Sequence, residues 1–219
     1  TEVELWTDEI DTECPKCKNI ITKKQNLSCV EWCNSAKLCI GDTSYNKYIK
    51  NQTVLLKDKL LIELSNWFGS DTKRINHAKE VLTYAETLLT QEPGNWIVVI
   101  ASSILHDIGI KIAEEKYSSA ENKYQEIEGA KAARDILLKT GIKKEFIEEI
   151  CDIIANHHTP GKINTINFKI LYDSDQIVNL RDKINGCDKS QLSKMIDTLL
   201  LTDSGKFLAR KIYLKIYPA

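Results

Sequence analysis

From about Thr53 to the C-terminus the apolar residues recur at helical spacing, and no segment alternates apolar and polar side chains convincingly, as a half-buried strand would. Such a chain can bury its apolar stripes only by packing helix on helix. Residues 96–101 (WIVVIA) are apolar on every side, so the helix that carries them has no face for water and must be buried. The predicted fold is therefore all-α, a helical bundle. Helices are expected at about 54–67, 71–89, 95–107, 124–139, 144–158, 166–182 and from 190 to the C-terminus, the last broken near Gly205. Asp71 or Thr72 is a good N-cap for the second, Pro93-Gly94 separates it from the third, and Pro160-Gly161 stops the fifth. A charged segment joins Asp107 to Tyr124.

The first forty residues are different. Cys14, Cys17, Cys29, Cys33 and Cys39 crowd there, five of the seven cysteines, and the aliphatic residues around them are too few to form a core. Cys14-Pro-Lys-Cys17 has the spacing of a metal knuckle. The expected organisation is a Cys-rich metal-binding segment over 1–45 and a helical domain over 46–219. Four of the five thiols would hold zinc with one to spare, or the set would hold an iron–sulfur cluster; disulfides are the plain alternative. The acidic start TEVELWTDEIDTE has no basic-then-apolar export pattern, so a cytoplasmic, reducing compartment is expected.

With a net charge of −1, nothing argues for a broad nucleic-acid surface. The run at 96–101 falls far short of the roughly 20 residues of a membrane helix, so no membrane partner is expected. Oligomeric state is not legible.

The chain has only four histidines, His77, His106, His157 and His158. In 145–158 the apolar residues Phe146, Ile147, Ile150, Cys151, Ile153 and Ile154 form one stripe, and both His157 and His158 continue it. His77 lines up with Val81, Tyr84 and Leu88 at the edge of its own stripe. His106 and Asp107 end the buried helix. An inward histidine alone is usually a satisfied core residue; four of four beside a carboxylate point to a metal, because a buried carboxylate is costly unless paired or coordinated. Imidazole nitrogen with carboxylate oxygen suits Mn, Fe, Ni, Co or Zn.

These pieces, RINHAKEVL (74–82), SILHDIG (103–109) and LYDSDQIVNLR (171–181), resemble the HD-domain metal-dependent phosphohydrolase superfamily. The resemblance covers about Thr53 onward and implies an HD-type helical bundle whose metal is held by His77, His106, Asp107 and Asp175. Periodicity leaves Asp173 and Asp175 open; SDQIVNLR is similar to a segment of guanosine tetraphosphate hydrolases, and that match implies Asp175. The stretch NHHTPG (156–161) resembles one in two-metal diadenosine tetraphosphate hydrolases, so His157 and His158 are candidate second-metal ligands or catalytic contacts. A further histidine usual in two-metal members is replaced here by Gln125. Glu126, on the inward face with Ala133 and Leu137, could substitute; Glu128 lies nearer the edge of that face, and both glutamates could equally be solvated charges.

The implied activity is hydrolysis of a phosphate ester, in a nucleotide or other small phosphorylated substrate, by a metal-activated water. Asp107 would ligate or bridge and orient the nucleophile. Lys111, Arg181, His157 or His158 would meet the phosphate charge, although Lys111 also reads as an ordinary surface lysine. Two other functions stay open: a di-iron HD-fold oxygenase, and a metal-binding sensor or scaffold built on the cysteines.

Overall fold

A computed structural model describes residues 11–18, 20–22, 35–184 and 186–215. The chain divides into two compact units, 1–54 and 55–219. In the first, strands β1 (Asp11–Glu13) and β2 (Ile20–Thr22) pair antiparallel, with Thr12 opposite Ile21. At three residues each they are too short to leave an alternating pattern in the sequence, which is why none was expected. Cys14 and Cys17 lie in the turn between them; Cys29 and Cys33 fall outside the described residues.

Helix α1 (Ala36–Phe68) carries the chain from one unit into the other. It begins well before the expected 54 because residues 36–53 are mostly polar and show no apolar period. Gly41 interrupts it with φ 80° and ψ 157°, a left-handed φ that favours glycine.

In the second unit, α2 (Thr72–Leu89) starts on the expected cap: the Asp71 carboxylate accepts from the Arg74 N–H at 3.2 Å. Helix α3 (Trp96–Leu105) is buried along its length from Ile97 to Leu105 and packs against α2, α6 (Lys144–Ile154) and α7 (Ile166–Lys183). Asn95 caps it, accepting from the N–H groups of Ile97 and Val98. The stretch from Trp96 to Tyr117 is long and apolar enough to cross a membrane by composition, but 72% of its most apolar window is buried inside the fold, as a core helix would be.

Two expectations need correction. The charged segment after Asp107 is not loop: α4 (Ile110–Tyr117) occupies it, short enough for its charges to mask one buried residue, Ala113. Helix α6 ends at Ile154 rather than His158, and the last turn tightens as the Asn156 N–H reaches the Ile153 carbonyl at 3.1 Å. The C-terminal break expected near Gly205 lies a few residues earlier, between α8 (Lys189–Leu199) and α9 (Asp203–Tyr213). Its cause is Asp173. That buried carboxylate accepts from the N–H groups of Leu201 and Thr202 at 2.7 and 2.8 Å and from the Thr202 hydroxyl at 2.6 Å, holding the chain out of helix there.

Helix α5 (Asn122–Leu137) crosses directly over the turn after α3. A Cβ on Gly109 would collide with the Gln125 carbonyl and the Gly129 backbone, so only glycine permits this approach. The crossing brings Glu126 beside the histidine-bearing turn after α6.

Candidate metal centre

Four elements converge at one end of the buried helix α3. His77 comes from α2, His106 and Asp107 from the turn after α3, Asp175 from α7, and His157 and His158 from the turn after α6. His77 Nε2 lies 3.1 Å from Asp175 Oδ1, 3.3 Å from His106 Nε2 and 3.6 Å from Asp107 Oδ2. His106 Nε2 lies 3.4 Å from Asp107 Oδ2 and 3.7 Å from Asp175 Oδ1. His77, His106 and Asp107 form one group able to hold a metal ion, and Asp107, His157 and His158 form another. Asp107 belongs to both: its Oδ1 faces His157 Nε2 at 3.7 Å.

Backbone carbonyls set the imidazoles. His106 Nδ1 donates to the Ser103 carbonyl at 2.9 Å and His157 Nδ1 to the Ile154 carbonyl at 2.7 Å. Each ring therefore turns Nε2 toward the cluster, the arrangement by which a second hydrogen bond orients a metal-ligating histidine. On the carboxylate side, the Asn179 amide donates to Asp175 Oδ1 at 2.9 Å and the Gln176 amide to Oδ2 at 3.3 Å. Asn179 follows Asp175 by one helical turn, so α7 itself places it.

The electrostatics favour a cation. Burial opposes charge on His106, but Asp107 and Asp175 outweigh it and raise the imidazole to about 9. Burial would likewise raise Asp107, yet His106 and His157 hold it well below the carboxylate range. Asp175 is lowered too, burial being overcome by His77 and His106. His158 is the opposite case: burial first, then the neighbouring His157, lowers it to about 4, so it is neutral at pH 7.

A divalent ion fits this donor set. Among the described residues, the buried side-chain atoms with no hydrogen-bond partner are His157 Nε2 and His158 Nδ1. An orphaned buried nitrogen costs on the order of 1–3 kcal/mol, which a ligated ion or bound substrate would relieve. His158 Nδ1 has Glu126 Oε1 at 3.6 Å, beyond hydrogen-bond reach, while the same oxygen accepts from the His158 N–H at 3.0 Å.

Other expected residues stand elsewhere. Asp173 is turned to the loop before α9. The Lys111 ammonium donates to the Trp67 carbonyl at 3.0 Å, and Arg181 forks onto Glu80; neither cation is brought into the cluster as a phosphate contact. Both partners, a backbone carbonyl and a carboxylate, come from other helices, invisible to a local motif. Gln125 donates to the Ala120 carbonyl. Both glutamates are buried rather than solvated. Glu128 accepts from Tyr117 at 2.8 Å and pairs with Lys116 and Lys131, which leaves Glu126 as the glutamate beside the histidines. Cys14 is buried in its hairpin, while Cys17 and Cys39 are exposed, all three as free thiols.

A cavity of about 440 Å³ opens beside His158. Tyr172, Gln176, Asn179, Asp182 and Lys183 line it, and among the described residues no Leu, Ile, Val or Ala does. Sequence reasoning assigned Lys183 no role; its position two residues after Arg181 was the available signal.

The family model for the HD domain matches residues 74–183, which span every one of these six residues. The chain belongs to the HD-domain family. In this HD domain the paired residues of the name are His106 and Asp107. The fold also resembles the crystal structure of a predicted HD superfamily hydrolase from an uncultured Thermotogales bacterium, at 20% identity and a TM-score of 0.56, over 72% of this chain and 85% of that one. No curated protein matches the chain.

Proposed function

We propose that the chain is a metal-dependent hydrolase that cleaves the phosphate ester of a nucleotide or other small molecule. The observation that carries this reading is the convergence of four imidazoles and two carboxylates from four elements, with two buried nitrogens left unsatisfied. The HD family and the resemblance to a hydrolase of that superfamily support it.

His77, His106, Asp107 and Asp175 would hold the ion. Bound there, a divalent metal supplies a polarised phosphoryl oxygen and a water of lowered pKa. The protein does the rest. Asp107 stays anionic and belongs to both groups, where it would ligate or bridge and orient the attacking water. Asn179 and Gln176 fix Asp175. His158, neutral at pH 7, can hydrogen-bond a substrate oxygen but cannot serve as a cationic anchor. Among the described residues Lys183 is the cation that lines the cavity; its ammonium donates to the Gln176 side chain at 3.2 Å, and it would meet the phosphate charge there in place of Lys111 and Arg181. The polar lining of that cavity favours a hydroxylated or charged group over an aliphatic one.

The test is a screen of nucleotides and phosphomonoesters with manganese, iron, cobalt, nickel or zinc. Phosphate release with at least one metal, lost in Asp175→Ala while far-ultraviolet circular dichroism stays helical, is expected. No release from any combination, or full activity in Asp175→Ala, would overturn the reading.

A further inference from the structure

The hairpin of the first unit is built like a metal-binding turn. Cys14 and Cys17 occupy the link between β1 and β2, the Lys18 N–H donates to the Cys14 carbonyl at 2.9 Å, and Lys18 takes a left-handed φ of 61°. The turn thereby closes on itself with both cysteines inside it. The thiolate is the form that binds metal. A redox CxxC instead draws its reactivity from a helix N-terminus; here strands flank the pair, and both thiols are free.

Among the described residues of the unit the buried apolar side chains are Cys14 and Ala36 alone. A segment of this size seldom folds without a disulfide, a metal or an oligomeric partner.

We propose that Cys14 and Cys17 are two thiolate ligands of a structural zinc-type metal ion held at the hairpin turn, a site chemically separate from the His/Asp cluster. Each thiol gives up its proton as it binds. A tetrahedral site draws on two further donors.

The full chain, purified under reducing conditions and loaded with zinc alone, tests this by metal content. The Cys14→Ser/Cys17→Ser double variant is expected to hold about one equivalent less than the parent, and a mercurial thiol reagent should release that equivalent from the parent. Asp175→Ala should retain it, so failure at the His/Asp cluster and failure here are distinguishable. Cobalt should give a sulfur-to-cobalt charge-transfer band in the parent but not in the double variant. In case the double variant simply unfolds the unit, Cys14→His, which keeps a ligand, should retain the equivalent with a weakened band. Unchanged zinc in the double variant, or no charge-transfer band in the cobalt-loaded parent, would overturn the proposal.

Discussion

Two aspartates two residues apart in the sequence separate two jobs. Asp175 faces His77, and Asp173 holds the loop before α9. Asp175→Ala should therefore remove metal binding and turnover with little change in stability. Asp173→Ala should do the reverse: it strands the buried N–H of Thr202 and that of Leu201, at about 1–3 kcal/mol each, and thermal melting should show a loss of about 3 kcal/mol or more. Equal melting temperatures for the two variants would contradict this division. Asn179→Ala removes a hydrogen bond to a ligand without removing the ligand, and metal titration should show affinity falling about 10–100-fold. For His157 and His158, metal stoichiometry in each alanine variant decides the role. Loss of one equivalent with another retained marks a second-ion ligand; full metal with a large fall in turnover marks a substrate contact. Full metal and full activity in both variants would make them core residues.

At the scale of elements, the site depends on how closely α5 can approach the turn after α3. Gly109→Ala places a methyl against backbone atoms of Gln125 and Gly129, which cannot rotate away as a side-chain tip could. Overpacking typically costs 1–3 kcal/mol, and a backbone clash belongs at about the upper end. We expect a melting temperature lower by several degrees and a weakened Glu126–His158 contact; an unchanged melt would mean that α5 shifts freely. Helix α2 was legible from its apolar stripe and its cap, and α3 from a run apolar on every side. Helix α4 was not, because eight residues with one buried side chain leave too little periodic signal.

For the whole molecule, ligation should couple to stability, since an ion that binds only the folded cluster draws the equilibrium toward it. At a hundredfold excess over Kd the gain is about 2.7 kcal/mol, which for a chain of this size corresponds to about 5–10 °C. Manganese is the suitable probe, because it prefers oxygen and nitrogen to thiolate and so reports on the His/Asp cluster. Calorimetry should show that shift in the parent and none in Asp175→Ala; a shift of equal size in the variant would place the ion elsewhere.

What the sequence determined by itself was local: the helical period, the all-α class, a central apolar helix and the inward face of each histidine. These follow from spacing along a single element, because burial of a stripe is decided by which residues share it. The resemblance to HD-type motifs added Asp175, which periodicity could not choose. Tertiary structure decided what depends on pairs far apart in the chain. Lys111 was drawn to the Trp67 carbonyl and Arg181 to Glu80, while Glu128 found Lys116 and Tyr117 and Asp173 found Leu201 and Thr202. A charged side chain takes the nearest partner the packing offers, and that partner sits on another helix, so no local pattern could say which charges would be neutralised and which two histidine nitrogens would be left facing the cluster without one.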